Sequence, residues 1–248
     1  MKLEVCVADP QSLAAAIAGG AERIELCSAL ELGGLTPSAG LMALAAEERT
    51  IALAEGLPTF EAYVLIRPRP GDFVFDFDEY GAMLYDIEAV RNAGLDGVVI
   101  GCSRPNGEID DHMLSRLVGQ ADGLGLTLHR AFDLVPDVAD AVETAVGLEF
   151  ERILTSGGAP TALEGLGKLA LAHATAAGRI KIMAGSGLRP DNVLDLLAAV
   201  PVDEVHSSCS GEPVRSPEGA VRLGFAAKTR RHTDADVVRA FKAKLSEA

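Results

Sequence analysis

Apolar and polar residues alternate along this chain in short runs, each followed by a longer amphipathic or Ala/Leu-rich stretch. Period-two alternation marks a strand, whose side chains point to opposite faces in turn. On this basis LEVCV (3–7), RIELCS (23–28), AYVLIR (62–67), GVVIG (97–101), LTLHR (126–130), RILTS (152–156), IKIMAG (180–185) and EVHSS (204–208) are read as strands. Helices are predicted between them. Asp9-Pro10 opens the first as cap and first-turn proline, Ser38 opens the second, and residues 77–93 carry the third. Asp110-Asp111, Pro136-Asp137, Thr161 and Pro190-Asp191 begin the next four, and residues 233–246 form the last. Glycine-bearing turns such as NAGLDG and GGAE return the chain from helix to strand. Eight strands alternating with eight helices imply a parallel sheet. At 248 residues its natural closure is an α/β single-domain (β/α)8 TIM barrel over residues 1–248. An open doubly wound sheet is the alternative, but no GxGxxG follows the first strand. Residues 209–248 read as a long loop plus the final helix, suited to a lid or an interface.

A barrel decides which face of each strand looks inward. Helices cover the outside, so the strictly apolar parity faces them and the other parity faces the axis. Leu3, Val5 and Val7 then point outward, and Glu4 and Cys6 inward. The second strand repeats the pattern: Arg23, Glu25 and Cys27 share one face. Tyr63, Leu65 and Arg67 face inward on the third strand, Thr127 and His129 on the fifth, and Glu204, His206 and Ser208 on the eighth. Glu4, Glu25, Arg67, His129, Glu204 and His206 make six ionisable inward groups, where barrel interiors usually stack branched apolar side chains. Two roles are open to them. They can pair across the barrel as a structural plug, since buried charges must be paired. Those near the C-terminal ends of the strands can line a pocket, because barrel active sites sit on that face. Glu4 and Glu204 lie deep and suit the plug; Cys27, Arg67, His129 and His206 suit the pocket; Glu25 fits either.

Composition changes this picture in one respect. The chain carries 48% apolar and 23% charged residues, with a formal net charge of -14. Such an acidic surface argues against nucleic acid or an anionic membrane as partner. The opening MKLEVCVADP turns polar within ten residues, which predicts a cytoplasmic protein whose four cysteines are reduced thiols. No CxxC or CxxH spacing marks a sequence-local zinc site. Against the acidic background, arginines cluster in the loops that follow the strands. IRPRPGDF presents Arg67 and Arg69, and LHRAFD places His129, Arg130 and Asp133 together. TSGG, AGSG and HSS add Ser156, Gly157, Gly185, Ser186, Gly187, His206, Ser207 and Ser208. Glycine- and serine-rich turns after the last strands are where barrels commonly hold phosphate. The candidate ligand is an anionic small molecule. An enzyme built this way would use His129 as general acid or base, oriented by Asp133 or by a carboxylate such as Glu25. Isomerisation, epimerisation or carbon–carbon cleavage of a phosphorylated metabolite would suit it, and no motif chooses among them. Lys181 lies well before its strand's end, the place of a paired structural lysine.

The blocks IELCSALELGGLTPS, IRPRPGDF, LTLHRAFD, RILTSGG, KIMAGSGLR and EVHSS, in that order, resemble the signature blocks of the copper homeostasis protein CutC family. They span roughly the first five-sixths of the chain. Pro70 stands where the family pattern would have glycine, and the stretch after Ser208 matches less closely. The resemblance implies a TIM barrel, a cytoplasmic location, a homo-oligomer and a role in copper handling, with Cys6 and Cys27 as candidate metal ligands. Soft thiolates suit Cu(I), and the two cysteines occupy matching positions on neighbouring strands. A buried free cysteine also serves as a small hydrophobe. No organic cofactor is evident.

Overall fold

The computed structural model describes residues 1–247; Ala248, the last residue of the expected domain, lies outside the described residues. Eight parallel strands close into one barrel in sequence order: β1 (Lys2–Val7), β2 (Arg23–Leu26), β3 (Glu61–Leu65), β4 (Gly97–Ile100), β5 (Gly125–Leu128), β6 (Arg152–Thr155), β7 (Lys181–Ala184) and β8 (Glu204–Ser207). The (β/α)8 expectation is met. The helices between them are α1 (Pro10–Gly19), α2 (Ala39–Glu55), α3 (Phe77–Asn92), α4 (Asp111–Gln120), α5 (Val138–Gly147), α6 (Leu166–Ala176) and α7 (Val193–Ala199). After β8 come a two-stranded antiparallel pair, β9 (Val214–Arg215) and β10 (Thr229–Arg230), with the short α8 (Glu218–Arg222) between them. The last helix, α9 (Ala235–Leu245), returns to pack on α1. No helix among the described residues is long and apolar enough to cross a membrane.

Local chemistry sets the helix starts. Asp9 accepts from the Ser12 N–H at 2.8 Å with Pro10 in the first turn, and Asp76 forms a reciprocal cap with Glu79. The sixth helix departs from its predicted start at Thr161 and begins at Leu166. The intervening turn is held instead by the next strand's loop, where Ala162 N–H donates to Ser186 O at 3.1 Å.

Parity sorts the side chains as the barrel requires. Leu3, Val5, Val7, Ile24 and Leu26 are fully buried between sheet and helices. A separate inner cluster holds Cys6, Cys27, Tyr63, Leu65 and Val99. Register then fixes heights: Glu4 lies abreast of Arg23 and of His206, and Cys6 abreast of Glu25. Cys6 and Cys27 are therefore one layer apart along the axis, not level.

Candidate functional site

The lower half of the barrel is filled with charge. Arg23, fully buried, donates through Nε to Glu4 and through Nη2 to Glu204. Arg152 donates to Thr127 Oγ1 at 2.9 Å and lies 3.2 Å from Glu204, while Lys181 reaches Glu204 from outside at 3.3 Å. The Tyr63 ring is flanked by both guanidiniums, with Cζ atoms 5.5 and 4.8 Å from its centroid, and its hydroxyl donates to Glu151 at 2.8 Å. That ring fits because β5 opens on Gly125, where a Cβ would lie 1.9 Å from the Tyr63 hydroxyl. The plug expected of Glu4 and Glu204 is thus built, with Arg23 and Arg152 as its cations. Burial by itself raises the Glu4 carboxyl, but Arg23 and then His206 hold it down at about 2.

Above this floor a cavity of about 370 Å³ opens at the C-terminal ends of the strands. At its base His206 bonds Glu4 Oε1 through Nδ1 at 2.8 Å, which leaves Nε2 facing the Glu25 carboxylate at 3.8 Å. Cys6, Glu25 and His206 each offer one donor atom, all within 4.8 Å of one another. Metal bonds of about 2.0–2.3 Å to nitrogen, oxygen and sulfur bridge such a span with small side-chain rotations. A carboxylate on the far nitrogen of a histidine is also the arrangement that orients metal-binding imidazoles. Burial pushes Glu25 up to about 7, with His206 pulling against it and Glu4 adding to it. Burial would lower His206, yet Cys6, Glu4 and Glu25 together raise it well above its usual value. An ion at this point would take the place of the Nε2 proton. Cys27 stands one layer higher, its thiol 3.4 Å from Glu25 Oε2 and pushed up by burial and then by that carboxylate. Cys102 and Cys209 belong to the outer apolar core.

The remaining sequence candidates divide by position. Arg67, His129, Arg130, Ser186, Gly187, Ser207 and Ser208 line the cavity with Cys6, Glu25, Cys27 and His206. Arg69, Asp133, Ser156, Gly157 and Gly185 do not line it. Arg69 is turned outward onto Glu79 and Asp72. Asp133 leaves His129 and crosses to β6, where it accepts from Thr155 Oγ1 at 2.6 Å, Ser156 N–H at 3.0 Å and Gly158 N–H at 2.9 Å. It also anchors Arg130 Nε at 2.6 Å. Arg67 fastens two loops, donating to Leu32 O, Gly34 O and Gly71 O at 3.0, 2.8 and 2.7 Å. Phe73, which the sequence reading passed over, packs against both Arg67 and His129, with the two rings 4.8 Å apart. Its place four residues after Arg69 was the available signal.

His129 is held neutral. The Ala131 N–H donates to its Nδ1 at 3.1 Å, so the ring proton sits on Nε2. Burial, and then the Arg67 charge, push the imidazole down to about 3. Its unfolded value is near 6.5, so the unfolded chain binds the extra proton first. The stability this group contributes is complete above about pH 6.5 and is lost as pH falls towards 3. On the order of 2–3 kcal/mol should disappear between pH 7 and pH 4. Urea denaturation at both pH values should show that decrement in wild type and not in His129→Gln; equal decrements would refute the neutral assignment.

The model of the CutC family matches residues 1–211. A Sinorhizobium medicae protein of the CutC family is 54% identical over 243 residues, covering 98% of this chain and 95% of its own. One from Caulobacter vibrioides is 50% identical over 250 residues, with 97% of each covered. Among solved structures, a Streptococcus agalactiae CutC provisionally described as a copper homeostasis protein superposes with a TM-score of 0.78. It is 29% identical and matches 84% of this chain and 98% of its own. A thiamine phosphate pyrophosphorylase from Pyrococcus furiosus, 15% identical over 99% of this chain and 96% of its own with a TM-score of 0.60, shares the fold.

Proposed function

The chain belongs to the CutC family, and from that premise we propose that it takes part in copper homeostasis by holding Cu(I) at the base of the barrel cavity. Cys6 and His206 are the principal ligands, Cys27 supplies a second sulfur, and Glu25 is the carboxylate beside them. One observation carries the reading: the donor atoms of Cys6, Glu25 and His206 converge to within 4.8 Å on a buried floor. The donor chemistry agrees, since thiolate and imidazole suit Cu(I) better than a hard oxygen-seeking ion. Glu4, already bonded to Nδ1, keeps the His206 ring aimed at the ion. All four cysteines are free, and thiol ligands persist in a reducing compartment, so a cytoplasmic location is part of this proposal.

An anaerobic Cu(I) titration against a competing chelator tests this. Wild type should bind one ion per chain, and Cys6→Ser combined with His206→Asn should weaken binding at least about a hundredfold, beyond the loss typical of an outer partner alone. Cys27→Ser should cost less than Cys6→Ser. Wild-type binding no tighter than that of the double variant would overturn the proposal.

A further inference from the structure

The upper part of the cavity is not accounted for by a metal at its floor. Its ionisable lining holds Arg67, Arg130, Arg189 and His206 against a single carboxylate, Glu25, in a chain whose formal charge is -14, with Arg130 and Arg189 each paired to an aspartate outside the lining, Asp133 and Asp191. Low-dielectric walls bearing one sign of charge concentrate ions of the other sign. Donors there are also unspent. Arg67 Nε and His129 Nε2 are buried and have no hydrogen-bond partner, although both residues are at most 5% exposed. A buried polar atom without a partner costs about 1–3 kcal/mol, so native proteins rarely leave two such atoms on side chains that line one cavity unless something else satisfies them.

The loops after β7 and β8 add main-chain donors at the mouth. Ser186 and Gly187 both take left-handed backbone, with φ of 76° and 73°. Consecutive residues of the same helical sense turn their N–H groups the same way, and these two, with the N–H of Ser208, donate to no acceptor among the described residues. Serine accepts this conformation at a cost on the order of 1 kcal/mol, and the turn is held in it by Ala162 N–H donating to Ser186 O at 3.1 Å and by Ser186 Oγ donating to Pro160 O at 2.7 Å, which leaves the Ser186 and Gly187 N–H groups free. Ser208 Oγ and Ser210 Oγ are hydrogen-bonded to each other at 3.2 Å, which leaves one hydroxyl of the pair to donate outward.

We propose that this cavity binds a small phosphomonoester, its phosphate seated on the N–H groups of Ser186, Gly187 and Ser208 beside Arg189, and its body reaching down towards His129 and Arg67. The volume of about 370 Å³ suits a ligand of that class, since small-molecule sites begin near 300 Å³. The proposal does not depend on copper.

Calorimetric titration of the metal-free protein with glycerol 3-phosphate tests it, with glycerol as the uncharged control. Wild type should bind the phosphomonoester saturably and ignore glycerol. Ser208→Glu, which puts a carboxylate against the cradle, should weaken binding at least about tenfold, the effect of losing one charge-assisted hydrogen bond. Should that variant fail to fold, Arg189→Ala, a change at an exposed side chain, should still weaken binding severalfold. Cu(I) affinity should be unchanged in both variants, which separates this site from the floor. No saturable binding, or binding left intact by these substitutions, would overturn the proposal.

Discussion

Arg23→Met should destabilise the protein by about 3–5 kcal/mol, the range for breaking a buried ion pair from one side. Typical domains are stable by only about 5–15 kcal/mol, so a third or more of the margin is at stake. The reason lies in what the substitution leaves behind. Glu204 would keep Arg152 at 3.2 Å and Lys181 at 3.3 Å. Glu4 would keep only His206, in a site with no access to solvent. The uncompensated charge is therefore that of Glu4. Guanidinium denaturation at neutral pH measures the loss, and Arg23→Met/Glu4→Gln should recover part of it, because the second change removes the stranded carboxylate. A single-variant loss below about 1 kcal/mol would mean that the plug is dispensable and that Arg23 acts as an ordinary long side chain.

Gly157→Ala should cost about 2–4 kcal/mol, for a reason unrelated to charge. Gly157 has φ of 71°, and a Cβ there would lie 2.1 Å from Gly165 O and 2.8 Å from Gly165 C. Both obstacles are main chain, so no rotamer change relieves them. Gly165 meets Gly157 and Ser156 from the other side, and this backbone crossing explains why α6 begins at Leu166 and not at Thr161. Thermal unfolding is the measurement. Because Ser156 and Arg130 hang from this crossing, bonded to each other at 2.7 Å, the rim of the cavity should loosen before the barrel melts. Amide exchange confined to the β6 loop would register that. An unchanged melting temperature would show that the two segments separate freely.

The barrel was legible because its signal is redundant: eight strand-like runs, each followed by a helix and most of those helices opened by a side-chain cap, all point one way. Parity alone put Glu4, Cys6, Glu25, Tyr63, His129 and His206 indoors, but it could not separate Arg67, drawn in over the cavity, from Arg69, turned out to Glu79, because the two share a parity and both lie beyond the end of β3. Parity carries no information about height. The stagger that sets Cys6 beside Glu25 instead of Cys27 belongs to the closed sheet and has no local trace in the chain. Arg152 escaped because it opens its strand, where a charge reads as the end of a loop. Asp133 misled in the opposite way. It stands four residues from His129, but the tight turn at Arg130–Leu134 sends it to β6. Proximity in sequence is a poor guide where the backbone reverses within one turn.

The charged floor has a consequence for timing. Arg23, Glu4 and Glu204 seal the barrel from below, so its interior is a vial with a single neck. Whatever rests against Cys6 and His206 must come and go through the cavity at the C-terminal ends of the strands, whose lining includes Ser186, Gly187 and Ser208. Contents stack in such a vessel: the first in is the last out, and an occupant of the neck acts as a stopper. The residence time of anything at the bottom is then governed by the chemistry at the neck and by its own bonds together.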